Sequence, residues 1–363
     1  PVPALYPVGV GLAKAPLRQN GQKSAHQKKE MNVDSAIPMV ELWRGGLLES
    51  THRGHAVICD ETGAVVEAWG DASSVVFPRS AFKMIQALPL VESGAADAAG
   101  LTAAHLALAC ASHQGEAKHV GLAAAWLASM GKTEADLRCG SHEPYDRTER
   151  DRLIRAYDSP CQLHNNCSGK HTGFVALNHH LGGGSEYIDI DHPVQRAVKA
   201  AFEVTTAETS PGYGFDGCSA PSFATSMTGL ARSMATFAAG SDSGDTRSRA
   251  MHRLTQAMAT HPDLVAGEGR ACTELMRAMG GRVAIKAGAE AVFVAIAPEK
   301  KLGIAIKIED GNSRASDTVI AALLVRIGVL DASHPATKKF LAPPITNCRG
   351  FRTGELRLSA GFI

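Results

Sequence analysis

The strongest constraint on the fold is a pair of hairpin patterns that lie in the first and last thirds of the chain. Apolar runs at 57–59 and 64–69 flank a short polar turn, and runs at 292–297 and 302–307 flank a second turn at Pro298. Short apolar runs separated by turn residues are typical of antiparallel β-hairpins. The sequence therefore predicts a sheet whose strands come from both ends of the chain.

Helical periodicity fills the stretch between the two hairpins. Residues 80–93 repeat apolar side chains at helical spacing, and Pro89 is expected to kink or shorten this helix. Further helices are predicted at 117–130, 147–157, 193–205, 247–260, 270–279 and 314–328. Hairpins at both ends with helices between them predict an α+β fold, in which helices flank an antiparallel sheet.

Changes in composition predict the domain boundaries. We expect residues 1–38 to be a disordered N-terminal extension, residues 39–341 to be one folded domain, and residues 342–363 to be an irregular C-terminal tail. The basic start of the chain lacks the continuous apolar stretch of a secretory signal.

Charge and cysteine content exclude several classes of protein. The net charge of +1 argues against binding to nucleic acid or to a membrane surface, since both usually require a basic excess. No apolar run is long enough to cross a membrane. The 8 cysteines are spread along the chain, which favours free thiols in a reducing cytosol, so we expect a cytoplasmic protein.

The first motif that could carry chemistry is Ser80-Ala81-Phe82-Lys83, at the start of a predicted helix. A serine hydroxyl becomes a useful nucleophile when a base removes its proton, and a lysine three residues later lies on the same helix face. The positive end of the helix dipole would favour a developing oxyanion. Taken alone, this spacing is a weak signal, and a helix cap followed by a solvated lysine is the favoured interpretation.

A second motif, residues 111–116, is a polar segment directly after a buried apolar run. It contains Ser112 and His113, and functional side chains often lie on such loops. On these residues alone, a loop that caps the helix at 117–130 is the favoured interpretation.

A third motif, residues 161–171, contains thiol, imidazole and amine groups that could hold Zn²⁺. Cys161 and Cys167 lack the spacing of a zinc ribbon, and Cys218 could join them only through the fold. Without further context, buried structural cysteines are the favoured interpretation.

A fourth motif, Lys286-Ala287-Gly288, precedes the run at 292–297. A Lys-x-Gly triplet at a strand edge is typical of the third motif of serine acyl-transfer enzymes, in which the lysine supplies charge beside the acyl pocket.

Taken together, these segments resemble the Rhizobium etli-type L-asparaginases of the asparaginase II family. This resemblance implies a fold like that of serine β-lactamases and penicillin-binding proteins, and hydrolysis of L-asparagine to L-aspartate and ammonia. The matching stretches follow the family order from about residue 41 to residue 330. They are 79–83, 110–113, 137–140, 166–171, 216–218, 261–273 and 307–312.

The resemblance implies two Ser–Lys pairs in one catalytic site. Ser80 would be the nucleophile with Lys83 as its base, and Ser112 with Lys286 would form the second pair. Two lysines close together lower each other's pKa by like-charge repulsion, which would supply a neutral amine as the base. We expect activity to rise toward alkaline pH.

The resemblance also implies a zinc ion beside the pocket, held by Cys167, Lys170 and Cys218. Its expected role is to position the substrate or the local loops rather than to react. Arg79, His171 and Asp216 are the expected substrate-binding neighbours. A homodimer is expected by resemblance only.

Two other functions are compatible with the same motifs. A penicillin-recognising serine hydrolase shares Ser-x-x-Lys and Lys-x-Gly, although no Ser-Asp-Asn triplet follows the first motif. A non-catalytic zinc-binding module would bind metal without releasing ammonia. A threonine-nucleophile asparaginase is disfavoured, since no matching Lys or Asp pattern surrounds Thr51 or Thr62.

Overall fold

The two hairpins predicted from the sequence lie in one antiparallel sheet. The computed structural model describes residues 35–363, and in this part of the chain the largest sheet has eight strands. The strands are β1 (Ile37–Arg44), β2 (Leu47–Asp60), β3 (Val65–Trp69), β4 (Val75–Val76), β5 (Tyr213–Phe215), β6 (Pro221–Phe223), β7 (Thr225–Ser226), β8 (Ala284–Ala287), β9 (Val292–Ala297), β10 (Leu302–Ile308), β11 (Pro344–Thr346) and β12 (Arg352–Leu358). The main sheet has the order β11-β12-β1-β2-β10-β9-β8, and β3 also pairs with β2.

Most of the helices lie between the hairpins, as predicted. They are α1 (Lys83–Glu92), α2 (Ala95–Ala98), α3 (Ala103–Ala109), α4 (Ala117–Ser129), α5 (Arg147–Arg155), α6 (Ser168–Leu181), α7 (Pro193–Thr206), α8 (Met227–Ala238), α9 (Thr246–Thr260), α10 (Pro262–Val265), α11 (Ala271–Ala278), α12 (Ser313–Arg326) and α13 (Pro335–Leu341). The six helices predicted beyond α1 correspond to α4, α5, α7, α9, α11 and α12. The predicted α+β fold with a flanked antiparallel sheet is confirmed. No helix among residues 35–363 has the length and apolar character needed to cross a membrane.

Helices cover both faces of the sheet at its centre. Every residue of β9 and nearly every residue of β10 is buried, which requires packing on the two faces. Helix α8 packs on β2, β9 and β10, and helix α12 packs on β1, β9 and β10. The centre of the sheet is therefore enclosed by helices on both faces and forms part of the hydrophobic core.

Helix α1 differs from its prediction at both ends. Residues Arg79–Phe82 form a 3₁₀ turn, and the α-helix begins only at Lys83. It continues through Pro89 to Glu92, so of the two effects expected of Pro89, a kink or a shorter helix, the shortening is not observed. Residues 83–91 are all buried, and α1 packs against α6, α7 and α9. This packing on all sides outweighs the backbone hydrogen bond that proline cannot donate.

The C-terminal segment was expected to be irregular, and this prediction is wrong. Residues 342–363 contain β11 and β12, and β12 pairs with β1 from Val40↔Leu358 to Arg44↔Gly354. Pairing with the edge of β1 satisfies backbone groups that an irregular tail would leave to water. Pairing of β1 with β2 begins at Ile37, so the first strand starts two residues inside the predicted extension 1–38. Residues 1–34 of that extension lie outside the described residues.

We predict that Gly303→Ala strongly destabilises the protein. Gly303 lies in β10, and a Cβ at this position would overlap the backbone of Ala231 and Ala235 in α8. Because neither backbone can move without opening the helix–sheet interface, the free energy of unfolding should fall by about 3 kcal/mol. Chemical denaturation measures this loss.

The matched control is Gly121→Ala, the same chemical change in the middle of α4. A Cβ at Gly121 meets nothing within 4 Å. This variant should gain up to about 1 kcal/mol, because alanine favours helix over glycine. Equal effects in the two variants would contradict the tight α8–β10 contact.

Candidate active site

Three separate segments meet at one cleft of about 320 Å³. Ser80 lies on the 3₁₀ turn before α1, Ser112 follows α3, and Lys286 lies on the edge strand β8. Side chains of all three line the cleft. The first, second and fourth sequence motifs are therefore brought together by the fold.

The backbone around the cleft is held in uncommon conformations. Arg79, directly before Ser80, has φ +52°, which is rare for a residue with a side chain. Gly288 packs so closely on this turn that a Cβ would lie 2.7 Å from the carbonyl oxygen of Pro78. Residues in rare backbone conformations cluster at functional sites, where the surrounding structure holds them in place.

Ser112 is held between two buried lysine amines. Its Oγ accepts hydrogen bonds from Lys83 Nζ at 3.0 Å and from Lys286 Nζ at 2.8 Å. The loop that carries Ser112 is fixed on both sides, since Ser112 N donates to the carbonyl of Val265 and His113 N donates to that of Asn166. The capping-loop interpretation of residues 111–116 therefore accounts for only part of this segment.

Ser80 differs from Ser112 in having a free hydroxyl. Among residues 35–363, no side chain or backbone group forms a hydrogen bond with Ser80 Oγ. The amine of Lys83 is directed instead to Ser112, to the carbonyl of Ala111 and to Cys167 Sγ at 3.1 Å. The sequence prediction that Lys83 pairs directly with Ser80 is thus not seen in this structure, although both residues belong to the same site.

Burial favours the neutral form of the Lys286 amine. The side chain is 1% exposed, and burial, assisted by the nearby charge of Lys83, lowers the pKa of Lys286 to about 7. The positive charge of Arg270 acts in the same direction. A large fraction of Lys286 is then a neutral amine at physiological pH, which can accept a proton.

The three residues predicted as zinc ligands form a buried cluster next to Lys83. Lys170 Nζ lies 3.0 Å from Cys218 Sγ, and the thiols of Cys167 and Cys218 interact with each other. Among residues 35–363, no group of three or more His, Cys, Asp or Glu side chains is arranged to hold a metal ion. A metal at this position would therefore need the amine of Lys170 as its third ligand.

An ion pair between Arg79 and Asp216 links the turn that bears Ser80 to the predicted zinc-ligand cluster. Arg79 donates to Asp216 Oδ1 through Nε at 3.1 Å and Nη2 at 2.8 Å. Burial alone would raise the pKa of Asp216, but Lys170 and Arg79 outweigh it and lower that pKa. This ion pair fixes the turn that bears Ser80 against the turn that bears Cys218. Neither residue lines the cleft.

His171 supports the site from within the core. Its ring is fully buried, and Nδ1 lies 2.9 Å from the hydroxyl of Tyr187. Burial lowers the pKa of His171, so the ring is neutral. The sequence predicted that His171 contacts the substrate. In this structure its ring has no accessible surface and does not line the cleft, so it can act only through its neighbours.

The sequence assigned no role to several residues that line the cleft. Arg270 and Glu290 are its two exposed charged residues, and Gln114, Tyr145 and Asn166 add polar groups. Arg270 lies within the matching stretch 261–273, and Glu290 follows the motif Lys286-Ala287-Gly288 by two residues. This closeness to the motifs was the available signal, but the sequence could not show that both side chains face one cleft.

Comparison with known proteins identifies the family. The family described as L-asparaginase II matches residues 40–358. No curated protein sequence matches the chain.

Solved structures show more distant similarity. Mglu in its native form shares 14% identity at a TM-score of 0.45, over 78% of this chain and 66% of the Mglu chain. A β-lactamase from Mycobacterium bovis, Mb2281c, shares 12% identity at a TM-score of 0.42, over 76% of this chain and 94% of that one. The family match spans nearly the whole described structure, including every segment that builds the cleft, and the chain belongs to the L-asparaginase II family.

Proposed function

We propose that the protein is an L-asparaginase of the Rhizobium etli type, which hydrolyses L-asparagine to L-aspartate and ammonia through a Ser–Lys site. The observation that carries the proposal is the hydroxyl of Ser112 between two buried amines, in the same cleft as the free hydroxyl of Ser80. The match to the L-asparaginase II family supports an amidohydrolase. The simplest test is ammonia release from asparagine and glutamine, with Ser80→Ala as the inactive comparison.

In the first half-reaction, Ser80 Oγ attacks the side-chain carboxamide carbon. The proton of Ser80 passes to the Lys83–Ser112–Lys286 cluster, where Ser112 can accept a proton and donate another. The carbon–nitrogen bond then breaks, and a lysine of the cluster protonates the departing ammonia. An aspartyl ester on Ser80 remains.

In the second half-reaction, water attacks the ester carbon while a neutral lysine takes a proton from the water. The ester bond to Ser80 Oγ breaks, the serine recovers its proton, and L-aspartate leaves. Because Lys286 is the cluster member whose pKa is lowered to about 7, we assign it this base role.

A zinc ion fits the Cys167–Lys170–Cys218 cluster in its donor chemistry. Thiolates are preferred zinc ligands, and Cys167 together with Lys170 holds the pKa of Cys218 well below its usual range despite burial. Burial alone would lower the pKa of Lys170, but the two thiols and Asp216 raise it in the absence of metal. A metal would have to displace that proton. When bound, zinc would fix the loops that carry Cys167 and Cys218 around the cleft.

Two further expectations follow from the resemblance and belong to the same proposal. The active form would be a homodimer in the cytoplasm. Its binding partner would be the small-molecule substrate L-asparagine, and we expect no binding to nucleic acid or to a membrane.

The nucleophile can be identified by trapping the ester. After acid quench of a reaction with asparagine, peptide mass spectrometry should locate the aspartyl group on Ser80, because its hydroxyl is free to attack. Ser80→Ala should lower kcat by about a thousandfold or more, and Ser112→Ala should also slow the reaction while leaving the ester on Ser80. An aspartyl group on Ser112 would contradict the assignment.

The pH dependence of kcat/KM should follow the titration of Lys286. Below a pH of about 7 the amine is protonated, so the rate should fall by up to about tenfold per pH unit, and above it the rate should level off. In the Lys286→Arg variant the guanidinium keeps its proton at every pH measured, so this variant should be nearly inactive throughout. An activity maximum in acid would be incompatible with a lysine base.

Metal content tests the zinc cluster without reference to activity. Elemental analysis of purified protein should give about one zinc per chain, and a chelator should lower Tm. Cys167→Ser and Cys218→Ser should lose the metal. Cys59→Ala, a buried cysteine elsewhere in the core, should retain it. Zinc retained in both ligand variants would disprove this site.

A further inference from the structure

The cleft contains two free charges of opposite sign. Its charged lining residues are Arg270, Lys286 and Glu290, and the amine of Lys286 is engaged by Ser112 and the carbonyl of Ala287. Among residues 35–363, neither the guanidinium of Arg270 nor the carboxylate of Glu290 forms a hydrogen bond or an ion pair. Exposed charges elsewhere on this surface are commonly paired, as in Arg277 with Glu268.

Glu290 is held in place although its carboxylate forms no hydrogen bond or ion pair within residues 35–363. The residue has φ +58°, and its carbonyl oxygen accepts a hydrogen bond from the buried amine of Lys307. Gly311 lies against the carboxylate, so that a Cβ there would be 2.8 Å from Glu290 Oε2. Residues in rare backbone conformations often lie at functional sites, and here the conformation presents to the cleft a carboxylate that acts on Lys307 only through its charge.

Arg270 lines the same cleft from a different segment, the one that leads into α11. It is the residue before α11, and its charge is felt by Lys286, Cys272 and the half-buried Asp317. Burial raises the pKa of Asp317 to about 6, and Arg270 counteracts this rise. Asp317 nevertheless forms no ion pair with Arg270, so the guanidinium keeps its donors for another anion.

We propose that Arg270 and Glu290 select the substrate as a free α-amino acid. In this arrangement, which rests on the proposed amidohydrolase function, Arg270 binds the α-carboxylate and Glu290 binds the α-ammonium. A guanidinium binds a carboxylate through two parallel hydrogen bonds, and a carboxylate accepts from an ammonium group. A free cation and a free anion in one cleft match a zwitterion, whereas a monoanionic penicillin-like ligand would leave Glu290 unpaired.

The test uses two asparagine analogues, each lacking one charge. Succinamic acid keeps the carboxylate without the ammonium, and 3-aminopropanamide keeps the ammonium without the carboxylate. Arg270→Gln should raise KM for asparagine and Ki for succinamic acid by about tenfold or more, with little change for 3-aminopropanamide. Glu290→Gln should show the opposite preference, weakening asparagine and 3-aminopropanamide only.

Matched controls separate recognition from general damage. Arg277→Gln changes a charge within α11, the helix that Arg270 precedes, and Glu299→Gln changes an exposed carboxylate paired with Arg282. Both should leave all three constants within about twofold. Where a cleft variant is too slow to assay, calorimetric binding of the analogues in the Ser80→Ala background gives the same comparison.

The outcomes distinguish this inference from the function on which it rests. If wild-type protein releases no ammonia from asparagine, the proposed function fails, whatever the variants do. If wild type is active but Arg270→Gln and Glu290→Gln weaken both analogues equally, or neither, the assignment of the two charges is overturned. Opposite analogue preferences in the two variants support it, because a merely structural defect would not depend on the charge of the ligand.

Discussion

The site depends on one hydroxyl shared by two buried amines. Two ammonium groups could not share such a position without strong mutual repulsion, so the arrangement around Ser112 favours at least one neutral lysine. The interior of the protein supplies this neutral amine without any chemical modification of the side chain. The burial of α1 fixes Lys83, and the close approach of Gly288 to Pro78 fixes the end of β8 against the turn that bears Ser80.

The fold delivers these groups from elements far apart in the chain. Lys83 begins a helix that is buried on all sides, and Lys286 lies on the outermost strand of the sheet. A buried helix and an edge strand fix their side chains more firmly than two loops would. The charges that would recognise a ligand lie on short connecting segments, with Arg270 directly before α11 and Glu290 in the turn before β9.

Elements formed by residues close together in the sequence were predicted correctly, whereas features that depend on contacts between distant segments were not. Hairpins and amphipathic helices follow from patterns within a few residues, and these predictions were accurate. The 3₁₀ turn at Ser80, the passage of α1 through Pro89 and the pairing of β12 with β1 depend on distant packing partners. For the same reason, the motif Ser-x-x-Lys suggested a contact within one helix, whereas the amine of Lys83 crosses to Ser112. The family resemblance supplied the candidate residues, and only the structure showed their arrangement.

The order of strands in the sheet also bears on how the protein is made. β1 and β2 pair with each other, and their outer edges pair with β12 and β10 respectively. Strands near the start of the domain therefore pair with strands more than two hundred residues later in the sequence. On the ribosome, the early strands would emerge long before the chain that completes their sheet. Such non-local pairing slows folding and leaves strand edges uncovered in the meantime. During synthesis the edges of β1 and β2 therefore stay unpaired until β10 and β12 have emerged, and chaperone binding to the nascent chain would protect these edges from aggregation.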